Sequence, residues 1–182
     1  MTFYHGTNML IGKIDFVKSR NRVDFGKGFY LVDKLGTARN WAIRKVELEN
    51  EGIPTVIAYE ISPDLFSLSG AKYSNTPELK WLEFICTNRR MLLPGQAKKE
   101  PRHNFNWVSG PIADDKVVDV VAEYMRNEIN AGEAIKRLRA LPQTYQVSLH
   151  TTVALDYVDE INVRYKQLKN GRWTQNWIKR KT

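Results

Sequence analysis

Gly26-Lys27-Gly28 runs directly into Phe29-Tyr30-Leu31-Val32, and this junction limits the fold more than any other stretch of the chain. Glycines ahead of an apolar run mark a bend, because they tolerate backbone angles that other residues avoid. The run behind them has the make-up of a strand. A dinucleotide-binding βαβ unit needs GxGxxG opening a helix, so that architecture is excluded. A helix is nevertheless expected next, over about 34–50, with Asp33 as its N-cap and Leu35, Ala38, Trp41, Ala42 and Val46 along one face.

Short strands and helices alternate along the rest of the chain. Residues 2–5 open as an aromatic strand ending at Gly6-Thr7-Asn8, and Thr55–Ile61 has the composition of a core strand. Thr76-Pro77-Glu78 starts a helix that carries Leu79, Trp81, Leu82 and Ile85. Both Trp41 and Trp81 are expected in the core. Residues 94–106 read as a polar, basic loop, and Val117-Val118-Asp119-Val120-Val121 fits a strand or a helix equally. Glu133–Leu141 reads as a short helix stopped by Pro142. Tyr145–Leu149 and Ile161–Tyr165 alternate as strands, and alternation alone would turn Gln146 to solvent. Thr151 can cap a turn of helix. The fold class is mixed α+β, in one domain, since 182 residues suit a single core.

Cysteine and charge narrow the functions. The lone Cys86 excludes an internal disulfide framework and a cysteine-based zinc site, and His5, His103 and His150 form no HxxxH pair. No apolar run approaches the ~20 residues of a membrane span. Met1–Gly6 has no charged segment followed by an apolar stretch, so a soluble, cytoplasmic protein without a signal peptide is expected. The net charge is +8, from 28 Lys and Arg against 20 Asp and Glu. Seven of the basic residues lie in 164–182, which has no acid, and the remainder is left with 21 against 20. The sequence therefore divides at 163/164 into a nearly neutral body and a basic tail. Trp173 and Trp177 stand among Lys169, Arg172, Lys179 and Arg180 there, a pattern suited to nucleic-acid binding by stacking and phosphate contacts.

Three short pieces carry candidate chemistry: Tyr4-His5-Gly6-Thr7, Gly26–Leu31 and Gln146–Leu149. In this order they resemble the ADP-ribosyltransferase superfamily, in its poly(ADP-ribose) polymerase-like and diphtheria-toxin-like branch. Within that branch, the chain is similar to a bacterial domain-of-unknown-function family of toxin-like transferases. The similarity rests on Asp24–Leu31 (DFGKGFYL), Asn88-Arg89-Arg90, Gly110–Asp115 (GPIADD) and Gln146–Thr151. It spans roughly residues 2–160 and leaves the tail outside.

The resemblance implies a split β-sheet core with flanking helices. It implies NAD as cosubstrate, cleavage of the nicotinamide–ribose bond, and transfer of ADP-ribose to a macromolecular acceptor, protein or nucleic acid. His5 would bond the ribose, Tyr30 would stack on nicotinamide, and Gln146 would take the place of the family's late glutamate. Gly6, Thr7, Lys27, Gly28, Phe29 and Arg20, with Arg22, would contact the rest of NAD. A neutral amide is no general base, so single transfer is favoured over polymer synthesis, and Asp24, Asp114 and Asp115 are candidates for a nearby acid. A toxin with a small antitoxin-like protein partner fits such relatives. A glycohydrolase of NAD, or a silent domain binding nucleic acid through the tail, are the other readings.

Overall fold

The computed structural model describes residues 1–19, 23–89, 103–112, 115–167 and 170–177. The strands are β1 (Thr2–Thr7), β2 (Phe29–Val32), β3 (Thr55–Ile61), β4 (Gly70–Lys72), β5 (Trp107–Pro111), β6 (Tyr145–Leu149), β7 (Val158–Gln167) and β8 (Trp173–Trp177). The helices are α1 (Leu35–Glu49), α2 (Leu79–Arg89), α3 (Asp115–Met125), α4 (Ala131–Arg139) and the single turn α5 (Thr152–Leu155). The strands form one sheet in the order β4-β5-β6-β2-β1-β3-β7-β8. Neighbours run antiparallel, except β4 beside β5. This is a mixed α+β fold.

One junction of the sheet differs from its neighbours. β1 is paired with β3 from Thr2 to Thr7, and β2 with β6 from Phe29 to Val32. Between β1 and β2 the register holds only Tyr4 opposite Val32. Beyond that pair the strands part, at the end where the glycine-rich entry to β2 faces His5–Thr7.

Alternation along the strands sends side chains to two faces. Phe3, Phe29, Leu31, Ile57, Tyr59, Val147 and Leu149 fill a cluster on one face, closed by Leu65 and Ala154. The other face has two sections. α1 covers Tyr4, Val32 and Val56 through Ala38 and Ala42. The helices α2, α3 and α4 bring Trp81, Leu82, Ile85, Val117, Val120, Val121 and Leu138 around Phe25 and Val108.

Several local expectations change. Asp33 does not cap α1, whose N-cap position is Lys34 without a side-chain bond. Instead Asp33 accepts from the Tyr145 amide at 3.3 Å. Trp81 is core at 1% exposed, but Trp41 is 40% exposed on α1. Val117–Val121 is helical, and α4 begins at Ala131, capped by Asn130, whose Oδ1 accepts from the Glu133 amide at 2.9 Å. Gln146 faces the helices and is 4% exposed, not solvent-facing. Much of the basic loop lies outside the described residues.

Residues 164–167 and 173–177 of the basic C-terminal stretch belong to the sheet. β7 pairs Ile57 with Arg164, Val56 with Tyr165 and Thr55 with Lys166, and β8 extends it. The boundary at 163/164 therefore falls inside β7. Arg164 is paired with Glu160 at 2.6 Å. Trp173 packs with α1, and the Arg39 guanidinium lies 5.2 Å from its ring and 5.3 Å from that of Tyr165. Lys169, Lys179, Arg180 and Lys181 lie outside the described residues. Among the described residues no helix is long and apolar enough to cross a membrane.

Candidate active site

The parting of β1 from β2 removes ladder partners from one end of each strand, and side chains compensate. His5 Nδ1 lies 2.8 Å from the carbonyl oxygen of Tyr30. A carbonyl only accepts, so Nδ1 carries the proton and Nε2 of the neutral ring is left with its lone pair. The ring is half-buried and stacks on Phe29, centroids 4.4 Å apart. Burial pulls its pKa down to about 4, so the imidazole is neutral at pH 7.

Gly6 lies on the helix-facing side of β1. A Cβ there would come within 2.2 Å of the Ala38 carbonyl oxygen of α1. Glycine at this position thus lets the helix settle against the strand. Thr7 is buried beside it, its Oγ1 accepting from the Met9 amide at 3.4 Å.

The loop ahead of β2 is closed by its own tyrosine. The Tyr30 hydroxyl donates to Gly26 O at 2.6 Å and accepts from the Phe25 amide at 3.0 Å. The ring packs against Phe25. Burial, then the neighbouring Asp24 carboxylate, pushes the phenol well above its ordinary value. Gly26 has φ +82, and a Cβ on Gly28 would meet Leu149 O at 2.7 Å and His150 Nδ1 at 2.8 Å. The close approach that Gly28 permits is to the end of β6. There His150 Nδ1 donates to Lys27 O at 2.8 Å, leaving Nε2 to accept from the Ser148 hydroxyl at 2.8 Å. His103 Nε2 donates to Phe25 O at 2.8 Å, and its ring meets His150 edge-on at 4.5 Å. Thr151 caps α5, as expected.

Behind Tyr30 a buried polar group joins β6, the loop and α2. Gln146 Nε2 donates to Asp24 Oδ2 at 3.0 Å and, more weakly, to Pro111 O at 3.4 Å. Asp24 Oδ1 accepts from Arg89 through Nε at 2.8 Å and through Nη2. Asn88 Nδ2 donates to Asp24 O at 3.0 Å. Asp24 is 6% exposed, so its carboxylate is taken out of water against a guanidinium.

The fold thus brings Tyr30, Gln146 and Asp24 together on one sheet face. His5 reaches the backbone of Tyr30 from the Phe29 face, because adjacent residues of β2 point to opposite sides. Gly6, Thr7, Gly28 and Phe29 line the place where β1 and β2 part, and the half-buried Lys27 contributes its carbonyl to His150. Arg20, Arg22 and Asp114 lie outside the described residues, and Asp115 enters only as the first residue of α3. Arg89, Ser148 and His103 had not been assigned roles. Arg89 stood in a segment singled out only by resemblance, and nothing local linked it to Asp24.

Three histidines with lowered values, His5, His103 and His150, make stability depend on pH. Burial pulls both His5 and His150 down to about 4, helped at His150 by the charge of His103 and opposed by its bond to Lys27 O. As pH falls below about 6.5, the unfolded chain takes up protons that the folded chain refuses. Stability is therefore full above that pH and falls towards pH 4. Allowing for partial exposure of both rings, a loss of about 1–3 kcal/mol from His5 and His150 is expected between pH 6.5 and 5. Thermal melts across that range measure it, and His150→Gln should flatten the slope. An unchanged melting temperature down to pH 5 would contradict the assignment.

A family model described as protein of unknown function (DUF3990) matches residues 1–159. No curated protein and no solved structure matches the chain.

Proposed function

We propose that this chain, which belongs to the DUF3990 family, is an NAD-dependent mono-ADP-ribosyltransferase with its site where β1 and β2 part. The observation that carries the reading is the placement of His5, Tyr30 and Gln146 on three consecutive neighbours of the sheet, β1, β2 and β6. The parting of β1 from β2 beside His5 and Tyr30 supports that reading, while Gln146 lies level with the Tyr4–Val32 pair. His5, neutral and with Nδ1 committed to Tyr30 O, offers Nε2 to a ribose hydroxyl. Tyr30 orders the loop that enters β2.

In the proposed reaction the bond between the ribose anomeric carbon and nicotinamide breaks, and its electron pair leaves with nicotinamide. The acceptor's nucleophile forms the new bond to that carbon and loses its proton to solvent or a nearby base. The protein's contribution is positioning and polar groups aimed at the ribose. Gln146 supplies hydrogen bonds but no base, which suits an intrinsically nucleophilic acceptor and a single transfer.

Purified protein incubated with labelled NAD and a cell lysate should release nicotinamide and label one class of macromolecule. His5→Ala should reduce release roughly 10- to 100-fold, and Tyr30→Ala should bring it close to background. No nicotinamide release with any lysate would refute the enzyme reading. Free ADP-ribose without a labelled macromolecule would make the chain a glycohydrolase instead of a transferase.

A further inference from the structure

Gln146 is held in one orientation. Asp24 Oδ2 and Pro111 O lie 3.0 and 3.4 Å from its Nε2, and both can only accept. The amide nitrogen is therefore turned inward. Oε1 takes no hydrogen bond among the described residues, and the residue as a whole is 4% exposed. Asp24 is divided in the same manner: Arg89 occupies Oδ1, which leaves Oδ2 for Gln146. Asn88 fixes the Asp24 backbone.

We infer that Asp24 is a positioning residue that holds Gln146 with its carboxamide oxygen forward, as a fixed acceptor for a substrate hydroxyl, while Arg89 holds Asp24. The inference rests on the transferase reading above and assigns the hydroxyl to the ribose of NAD. A glutamate's two oxygens present an acceptor whichever way the carboxylate turns. A glutamine does so only when something else binds its NH₂ group, and Asp24 is placed to bind it. The carboxylate that the family carries late in the chain is then not missing from the cluster. It stands one hydrogen bond behind the amide.

This arrangement makes glutamate the wrong residue at position 146. Gln146→Glu would remove the donor and set a second carboxylate against Asp24, so activity should fall instead of rising. Asp24→Asn offers an amide that can turn either way, so Gln146 loses its fixed orientation. Combining the two restores one donor and one acceptor between positions 24 and 146 and keeps one negative charge in the cluster, now at position 146, with the direction of the hydrogen bond reversed.

The test is steady-state nicotinamide release by the wild type, Asp24→Asn, Gln146→Glu and the double variant, with kcat scaled to the folded fraction from circular dichroism. Each single variant should lose about 10-fold or more in kcat with KM for NAD changed less than about 3-fold, and the double variant should recover at least about 10-fold over either. Side-chain NMR gives a second readout: the Gln146 NH₂ protons should be protected from exchange in the wild type and exposed in Asp24→Asn. Wild-type kcat per folded molecule in Asp24→Asn, or an active Gln146→Glu, would overturn the positioning role alone. A wild type that releases no nicotinamide overturns the NAD reading and the inference with it.

Discussion

Gly6→Ala should lower the melting temperature by about 10 °C, a cost of roughly 3–5 kcal/mol. A single methyl group rarely does so much. Here it would stand 2.2 Å from Ala38 O and 3.1 Å from Ala42 N, both backbone atoms of α1. Flexible side chains can step aside from such a contact, but a helix must move as a body. Moving it lifts Ala38 and Ala42 from Val56 and disturbs the packing of Tyr4 and Val32. Gly36, in the same helix, is the internal control, since a Cβ there meets nothing within 4 Å. Gly36→Ala should stabilise by about 0.5–1 kcal/mol through helix propensity alone. Differential scanning calorimetry of both variants separates steric conflict from propensity. A Gly6→Ala protein melting within about 2 °C of the wild type would mean that α1 does not press on β1 as described.

Arg89→Ala is expected to destabilise by about 3 kcal/mol, because it leaves the Asp24 carboxylate in a nearly closed site without its guanidinium. The pair is worth less than this figure suggests. Much of the loss is the cost of keeping the Asp24 carboxylate buried without Arg89, not the value of the attraction. That distinction is measurable. If the stranded charge dominates, adding Asp24→Asn to Arg89→Ala should return about half of the lost stability or more, since no buried charge then remains. Urea denaturation of the wild type, both single variants and the double variant closes the cycle. Additive losses would show that Asp24 and Arg89 act independently, contrary to the 2.8 Å contact between them.

The candidate site was legible in pieces. His5, Gly6 and Tyr30 stand out only through their order along the chain and the resemblance it carries, since each short piece alone is ordinary. At Gly28 the close approach is made by Leu149 and His150 of the chain itself, which no local pattern announces. Gln146 was misjudged in exposure. Period-2 alternation shows that Gln146 and Val147 face opposite ways, but not that α2, α3 and α4 cover the face that Gln146 takes. The basic stretch 164–182 looked like a tail because its composition differs from the rest. Composition says nothing about the backbone hydrogen bonds that hold β7 to β3 and β8 to β7.

What the sequence determined by itself is what depends on neighbours along the chain: the identity of most elements, the exclusion of a βαβ nucleotide fold, and the bend into β2. Propensity, periodicity and backbone sterics act over a few residues, so they can be read in order. Tertiary structure alone decided that β1 and β2 meet at one pair, that His5 and Tyr30 lie on opposite faces, and that Val117–Val121 is a helix. It alone joined Asp24 to Arg89 and Gln146 across separations of 65 and 122 residues. Such partnerships depend on which surfaces the whole chain buries against each other, because the cost of removing a charge from water is met only by the group that arrives beside it.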